Sequence, residues 1–209
     1  MASFAIVADL SNAHRTSGVN RFYWLNHLLN CDMGHLRELL DRLEAARLDI
    51  HWIDSCRAPG MTAEILKRLR KVGANRLVWG VDCGSDRLSR FMKKGVRSAQ
   101  VREVIAASHR VGIENVVNFI IGMPQETDQD FDETCRLIED LRPHVRRFNI
   151  VPFKYFRVSP MGRNPGAYGV SPGPDGGIVG PDGTCWTEEL PTSPEVLAKL
   201  ERLADVRKM

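Results

Sequence analysis

Residues 115–127 read NVVNFIIGMPQET and contain, in order, the features of a buried strand, a turn and a helix start. The apolar run that ends at Ile121 is typical of a strand covered on both faces of a sheet. Gly122-Met123-Pro124 then predicts a tight turn, and Thr127-Asp128-Gln129-Asp130 resembles a capping box that opens a helix. The sequence therefore predicts a strand–turn–helix unit whose turn lies at the carboxyl end of the strand.

The same unit recurs along residues 1–158. Five runs rich in β-branched and aromatic residues are strand candidates: Arg21–Leu25, Leu48–Asp54, Arg76–Val81, Asn115–Ile121 and Arg147–Pro152. Helical segments separate them, and residues suited to N-caps stand at the helix starts: Asp32, Thr62, Ser85, Ser98 and Thr127. Strands about 30 residues apart with helices between them pair in parallel. We expect an α/β barrel or open α/β sheet, with its chemistry at the carboxyl ends of the strands.

The composition is that of an ordinary globular chain. Its 209 residues are 43% apolar and carry a formal net charge of +3, which excludes wholesale disorder. The basic residues are scattered over several segments, so no nucleic-acid or membrane-surface footprint is predicted. No apolar run approaches the ~18 residues that a membrane span needs. We therefore expect a soluble, cytoplasmic protein.

The cysteines predict no metal site. Consecutive cysteines are at least 25 residues apart, and the five positions are Cys31, Cys56, Cys83, Cys135 and Cys185. This spacing fits neither a zinc knuckle nor a disulfide-stapled scaffold, so reduced and mostly packed thiols are expected. The histidines show no metal-binding spacing either.

The chain beyond residue 158 differs in character. Glycine and proline make up 13 of the 25 residues from Ser159 to Gly183, which predicts an extended segment over 159–192 with a small hairpin. Ser193-Pro194-Glu195 then opens a C-terminal helix over 193–209. Its expected buried face carries Leu197, Leu200 and Leu203.

Two segments resemble motifs of radical S-adenosylmethionine (radical SAM) enzymes. Gly80–Ser85, which reads GVDCGS, followed by Met92–Gly95, which reads MKKG, resembles the family's G-x-E-S-G-S…M-x-K-G. Asn118–Thr127 resembles its φ-φ-G-φ-P-G-E-T. Asp82, Cys83 and Gln125 replace the usual Glu, Ser and Gly. The resemblance covers about residues 1–160, and it implies a partial TIM-like (β/α)6 barrel of about five parallel strands that lacks its first βα unit.

The family's cluster motif is absent from this sequence. Radical SAM enzymes hold a 4Fe–4S cluster with C-x-x-x-C-x-x-C after their first strand, because iron–sulfur clusters need thiolate ligands. No such triplet occurs here. Three explanations stay open at this point: a truncated chain, a missing unit supplied by another chain, and a degenerate relative without catalysis.

The resemblance also implies a binding site for S-adenosylmethionine. Asp82 matches a position that holds the amino-acid end of this cofactor, and Lys94 a basic position that pairs with its carboxylate. Asn118 matches a ribose-binding position. The remaining matches are the adenine turn and the end of the first motif: Ile121, Gly122, Met123 and Ser85. Each residue also has a purely structural explanation, namely a helix cap for Ser85, a solvated cation for Lys94 and an ordinary strand-to-helix turn for Gly122.

The function implied by the resemblance is that of a catalytic-domain portion of a radical SAM enzyme. The intact family cleaves S-adenosylmethionine to a 5′-deoxyadenosyl radical that abstracts hydrogen from a substrate, which is unknown here. We expect this chain alone to be inactive because it lacks the cluster cysteines. The alternative is a non-catalytic α/β protein that binds a nucleotide-like ligand or a partner chain at its strand ends. Cys31, Cys56 and Cys83 follow three successive strands and are the one cysteine trio worth testing.

The first predicted strand is expected at a sheet edge. Without a preceding strand, Arg21–Leu25 would leave main-chain donors and acceptors unpaired beside aromatic side chains. We expect the chain to self-associate there, to aggregate, to bind a partner chain, or to cover the edge with its N-terminal helix or C-terminal segment.

Overall fold

The computed structural model of the chain describes residues 3–25, 28–188 and 193–204. It has an α/β fold in which five parallel strands form one sheet, in the order β1-β2-β3-β4-β5. These strands are β1 Arg21–Tyr23, β2 His51–Cys56, β3 Ala74–Asp82, β4 Glu114–Ile121 and β5 Arg147–Pro152. The predicted α/β class and all five predicted strands are confirmed.

The helices and a second small sheet complete the described chain. The helices are α1 Ser3–Ser17, α2 Met33–Ala46, α3 Ala63–Lys71, α4 Asp86–Phe91, α5 Ser98–Arg110, α6 Asp128–Leu141, α7 Pro160–Arg163 and α8 Pro194–Arg202, with short 3-10 turns at 142–144, 165–168 and 174–176. Three antiparallel strands form the second sheet: β6 Ser171–Pro172, β7 Ile178–Val179 and β8 Cys185–Trp186. In the described part of the chain, no helix is both long and apolar enough to cross a membrane.

The strand boundaries differ from the predicted ones for local reasons. β2 begins at His51 rather than Leu48. Arg47 ends α2 in the left-handed region with φ 49°, and residues 48–50 connect this helix end to the strand. β1 ends at Tyr23 rather than Leu25. It pairs only with β2 and therefore lies at an edge of the sheet. Tyr23 is 61% exposed there, and self-association through this edge stays a prediction.

Side-chain caps start several helices where the sequence predicted them. Asp32 accepts hydrogen bonds from the main-chain N–H groups of Gly34 and His35 at the start of α2. Thr62 caps α3 in the same way. The predicted capping box of α6 is present, since Thr127 N–H donates to Asp130 Oδ2 at 2.8 Å and Asp130 N–H donates to Thr127 Oγ1 at 3.3 Å.

The chain packs as two compact units. The first comprises residues up to Val81 together with Ala99–Val117 and Leu141–Arg147, and the second comprises Asp82–Ser98, Asn118–Asp140 and the chain from Phe148 onward. In the first unit, α2 buries one leucine face, as its helical spacing requires: Leu36, Leu39, Leu40 and Leu43. Trp24 stacks on Trp52 with ring centroids 4.1 Å apart.

The core of the second unit includes much of the Gly/Pro-rich segment. Tyr155, Met161, Val170, Ile178 and Trp186 form one buried cluster with Leu88 and Met123. The predicted extension is thus folded around its own sheet and joined to the strand-end residues. Burial of these side chains supplies the apolar stabilisation that the turns themselves lack.

The C-terminal helix buries a face that coincides only in part with the predicted one, since Leu203 is buried as predicted and Leu200 is half-buried. Val196 and Leu203 are buried, whereas Leu197 is 51% exposed. The expectation for Leu197 is therefore wrong. Val196 lies against Gly122, where an added Cβ would come within 2.5 Å of its Cγ2. The buried face is set by the space above this glycine rather than by leucine spacing, and residues 205–209 of the predicted helix lie outside the described residues.

Candidate functional site

A cavity of about 570 Å³ lies in the second unit, at the carboxyl ends of its strands. Its volume is in the range of small-molecule sites. Its lining combines two lysines and a carboxylate with apolar and aromatic side chains: Asp82, Met92, Lys94, Ile120, Met123, Val151, Pro152, Phe153, Lys154, Phe156, Ser159, Pro160, Met161 and Tyr168. Three of the seven predicted site residues line it, namely Asp82, Lys94 and Met123.

Asp82 and Lys94 form an ion pair at this cavity. Asp82 is the last residue of β3, and its φ of 69° places it in the left-handed region that non-glycine residues seldom adopt. Its side chain is 10% exposed and that of Lys94 is 31% exposed. The Lys94 N–H donates to the carbonyl of Ser89, which anchors the chain just after α4. Opposite charges are thus held side by side at the cavity.

Ser85 has a structural position and does not line the cavity. Its hydroxyl caps α4 by accepting from the Leu88 N–H at 3.3 Å, and it donates to Asp130 Oδ1 at 2.5 Å. Burial disfavours the charged form of Asp130, but the hydrogen bonds from Arg87, Ser85 and Thr127 outweigh it and hold the pKa of this carboxyl below its usual range. Ser85 therefore joins α4 to α6.

Asn118 lies on β4 outside the set of cavity-lining residues. Its Oδ1 accepts a hydrogen bond from Asn149 Nδ2 at 2.9 Å, and its side chain is half-buried. It shares a strand face with Ile120, two residues further on, because side chains alternate along a strand. Ile120 lines the cavity. Asn118 therefore lies on the same side of the sheet as the cavity but further from the strand end.

Ile121 ends β4 and Gly122 begins the turn that follows it, and neither residue lines the cavity. Ile121 is buried on the opposite face of β4 from Ile120. Gly122 has a φ of 81°, and its N–H donates to Glu126 Oε2 at 3.0 Å. Burial raises the pKa of Glu126, and Lys199 on α8, with its Nζ 3.2 Å from Oε1, opposes that shift. α8 thus packs over the turn that the resemblance assigns to adenine.

The residues that sequence reasoning missed follow β5. Phe153, Phe156, Met161 and Tyr168 supply the apolar and aromatic part of the lining. The sequence signal for them is the set of aromatic residues that flank or interrupt the Gly/Pro-rich segment, since large apolar side chains in such a segment need a surface to pack on.

The described cysteines do not fit an iron–sulfur cluster. No group of three or more His, Cys, Asp or Glu side chains within residues 3–25, 28–188 and 193–204 could hold a metal ion. Burial, with a smaller contribution from the Asp54 charge, raises the pKa of the Cys56 thiol well above its usual value. Burial raises the pKa of Cys83 to about 12, and its Sγ lies 3.4 Å from the carbonyl oxygen of Ser85. Burial thus disfavours the thiolate form, which metal binding needs, at two of the three cysteines that the sequence singled out.

Comparison with known families assigns the chain to a superfamily. The model of the radical SAM superfamily matches residues 6–138, and the chain belongs to this superfamily. Together with the sheet of five parallel strands, this match confirms the resemblance stated from the two motifs. The fold is that of a partial TIM-like radical SAM barrel.

Relatives and solved structures agree with this assignment. An uncharacterised methyltransferase of Pyrococcus horikoshii is 23% identical over 145 residues, 69% of this chain and 32% of that protein. The tRNA-2-methylthio-N(6)-dimethylallyladenosine synthase of Bordetella petrii is 40% identical over 63 residues, 29% of this chain and 13% of that protein. The chain thus spans about a third or less of the length of these relatives.

Among solved structures, the fold resembles two radical SAM enzymes. The methyltransferase TsrM from Kitasatospora setae, solved with cobalamin and a 4Fe–4S cluster, has a TM-score of 0.68 at 18% identity, over 76% of this chain and 32% of that chain. Coproporphyrinogen III oxidase from Escherichia coli has a TM-score of 0.63 at 16% identity, over 91% of this chain and 40% of that chain. At these identities the likeness concerns the fold.

Proposed function

We propose that this chain is the S-adenosylmethionine-binding portion of a radical SAM enzyme, and that the cavity at Asp82 and Lys94 takes the cofactor. Membership of the superfamily supports the reaction class. One relative is an uncharacterised methyltransferase and another is a 2-methylthio-adenosine synthase, which supports group transfer as the reaction of the whole protein. Its substrate is unknown.

The observation that carries the proposal is the Asp82–Lys94 pair at the cavity. The amino-acid end of S-adenosylmethionine is a zwitterion, with an ammonium and a carboxylate on one carbon. A carboxylate and an ammonium held side by side complement it, because each cofactor charge meets an opposite charge. Asp82 would accept from the cofactor's amino group, and Lys94 would donate to its carboxylate.

The apolar lining suits the adenosyl end. Ile120, Met123 and Phe153 offer the kind of surface on which a nucleoside ring packs. Asn118 lies on the strand face of Ile120 and carries an amide that could bond ribose hydroxyls. In this proposal, the side chains hold and orient the cofactor and exclude water from it, while the bound cofactor supplies the reactive sulfonium.

Binding of S-adenosylmethionine by the isolated chain is the first test. We expect a Kd in the high-micromolar to millimolar range, about −4 to −6 kcal/mol, by isothermal titration calorimetry. Lys94→Met and Asp82→Asn should each weaken binding by about three- to tenfold, since each removes one charge-assisted contact. Arg97→Gln, an exposed basic residue nearby that does not line the cavity, should leave binding unchanged.

Methylthioadenosine, which lacks the amino-acid end of S-adenosylmethionine, is the control ligand for the contacts of Asp82 and Lys94. It should bind the wild-type chain and Lys94→Met with the same affinity. Loss of its binding in Lys94→Met would show that the lysine acts on the fold of the cavity. Absence of heat with S-adenosylmethionine at millimolar concentration would contradict the proposal and favour a non-catalytic protein.

The second test concerns the cluster. After anaerobic reconstitution, we expect iron and sulfide analysis and the visible absorption spectrum to show no 4Fe–4S cluster on the isolated chain, because no three thiolates converge among its described residues. Single Ala replacements of Cys31, Cys56 and Cys83 serve as controls and should change nothing. One cluster per chain that depends on these cysteines would refute the expectation.

A further inference from the structure

A second cavity, of about 620 Å³, lies in the first unit near the amino ends of its strands. Arg21 begins β1, His51 begins β2 and Glu114 begins β4, and all three line it. The proposed cofactor cavity, by contrast, is formed by residues at the carboxyl ends of strands. The two motifs at residues 80–95 and 118–127 contribute no residue to this second cavity.

The charged side chains of the cavity leave an excess of positive charge. Arg76 is neutralised by Glu114, whose Oε2 accepts from Arg76 Nε at 3.0 Å and from Arg76 Nη2 at 2.7 Å. Arg21 and Arg70 line the same cavity and are exposed. Neither guanidinium has a hydrogen bond or ion pair in the part of the chain that the structure describes. Two unpaired guanidinium groups at one cavity match a phosphate, which accepts their forked N–H donors.

An aromatic surface and an unpaired acceptor adjoin these arginines. Phe22 and Tyr23 line the cavity, and the Tyr23 ring is stacked on no aromatic or cationic group of the described chain. Asn75 also lines it, and its Oδ1 is buried without a hydrogen-bond partner. A buried acceptor without a partner is uncommon. Because this oxygen is buried, a ligand in the cavity does not reach it, and the exposed ring of Tyr23 is the feature that suits a ligand with more than an anionic group.

We infer that this cavity binds a nucleoside phosphate of mononucleotide size. The phosphate lies between Arg21 and Arg70, and the ring packs on Tyr23. The volume is within the range of small-molecule sites. Bare phosphate would satisfy the arginines but would leave the ring surface unused.

Calorimetric titration with uridine 5′-monophosphate tests this inference. A pyrimidine nucleotide is the probe because an adenine nucleotide could also enter the proposed cofactor cavity. We expect a Kd between about 10 μM and 1 mM, with uridine and inorganic phosphate each binding at least about tenfold more weakly. The double variant Arg21→Gln/Arg70→Gln should weaken binding of the nucleotide at least about tenfold.

Matched variants separate this site from the rest of the molecule. Arg37→Gln, an exposed arginine on α2 that lines neither cavity, should leave nucleotide binding unchanged, and so should Lys94→Met. Tyr23→Ala should weaken binding of the nucleotide several-fold while leaving inorganic phosphate unaffected, because it removes the proposed ring surface. Circular dichroism should show the double variant folded, because neither arginine is buried or paired.

Three results would overturn the inference. They are no heat with the nucleotide at about 5 mM, unchanged affinity in the double arginine variant, and equal affinity for inorganic phosphate and the nucleotide. Sensitivity to Lys94→Met alone would place the nucleotide in the other cavity and would also overturn it. The S-adenosylmethionine titration is a separate measurement, so either proposal can fail while the other stands.

Discussion

Replacing Gly73 by alanine is expected to destabilise the chain by about 3–5 kcal/mol. Gly73 turns the chain into β3 with φ 95°, and a Cβ built there would lie 1.9 Å from the carbonyl oxygen of Ile50. This oxygen belongs to the main chain and cannot rotate away as a side chain could. The Gly73 carbonyl also accepts from the Trp52 N–H at 2.9 Å, so any shift disturbs the entry into β2.

Urea unfolding followed by circular dichroism would measure this effect. Gly18→Ala is the matched control, since Gly18 has φ 65° with nothing within 4 Å of the built Cβ. It should cost only the left-handed strain of alanine, about 1–2 kcal/mol. Equal losses in the two variants would show that the close approach to Ile50 does not exist.

Replacing Asn115 by alanine is expected to cost about 3–5 kcal/mol, since each buried polar group left unpaired costs about 1–3 kcal/mol. The Asn115 amide is buried at the start of β4. Its Oδ1 accepts from Trp79 Nε1 at 2.8 Å and from the Ser108 hydroxyl at 2.7 Å, and its Nδ2 donates to the carbonyls of Ile105 and His144. One side chain therefore satisfies four polar groups of the first unit.

Asn118→Ala supplies the comparison from the same strand. Among the described residues, its half-buried amide makes one hydrogen bond, which it accepts from Asn149 Nδ2, so the expected cost is about 1 kcal/mol. Unfolding in urea measures both variants under one set of conditions. Trp79→Phe removes the indole donor together with part of a buried ring, but it leaves the other three partners of Asn115 paired. A loss at Asn115 no larger than that at Asn118 would contradict the network.

The candidate site was predicted in part. Asp82, Lys94 and Met123, which the motif resemblance singled out, line the cavity, and their role in binding a cofactor stays a prediction. Ser85 caps a helix, and Ile121 faces the core side of β4. A motif identifies which residues surround a strand end, but the pleat of the strand determines which of two neighbours faces the ligand. The aromatic wall from Phe153 to Tyr168 was not predicted, because it depends on how a Gly/Pro-rich segment packs.

The sequence alone determined the α/β class, the five strands, the caps at Asp32 and Thr62, and membership of the radical SAM superfamily. Each of these depends on residues close together in the chain. A cap bonds main-chain groups two or three residues away, strand and helix periods repeat within a few residues, and the family motifs are short.

Contacts between distant residues were settled by tertiary structure. Val196 rather than Leu197 became the buried residue of α8 because Gly122, more than 70 residues earlier, leaves room for it. Arg21 and Arg70, which looked like scattered surface charges, line one cavity with Asn75. No periodicity or spacing in the sequence predicts such contacts, because they depend on how the strands and helices pack against one another in the folded chain.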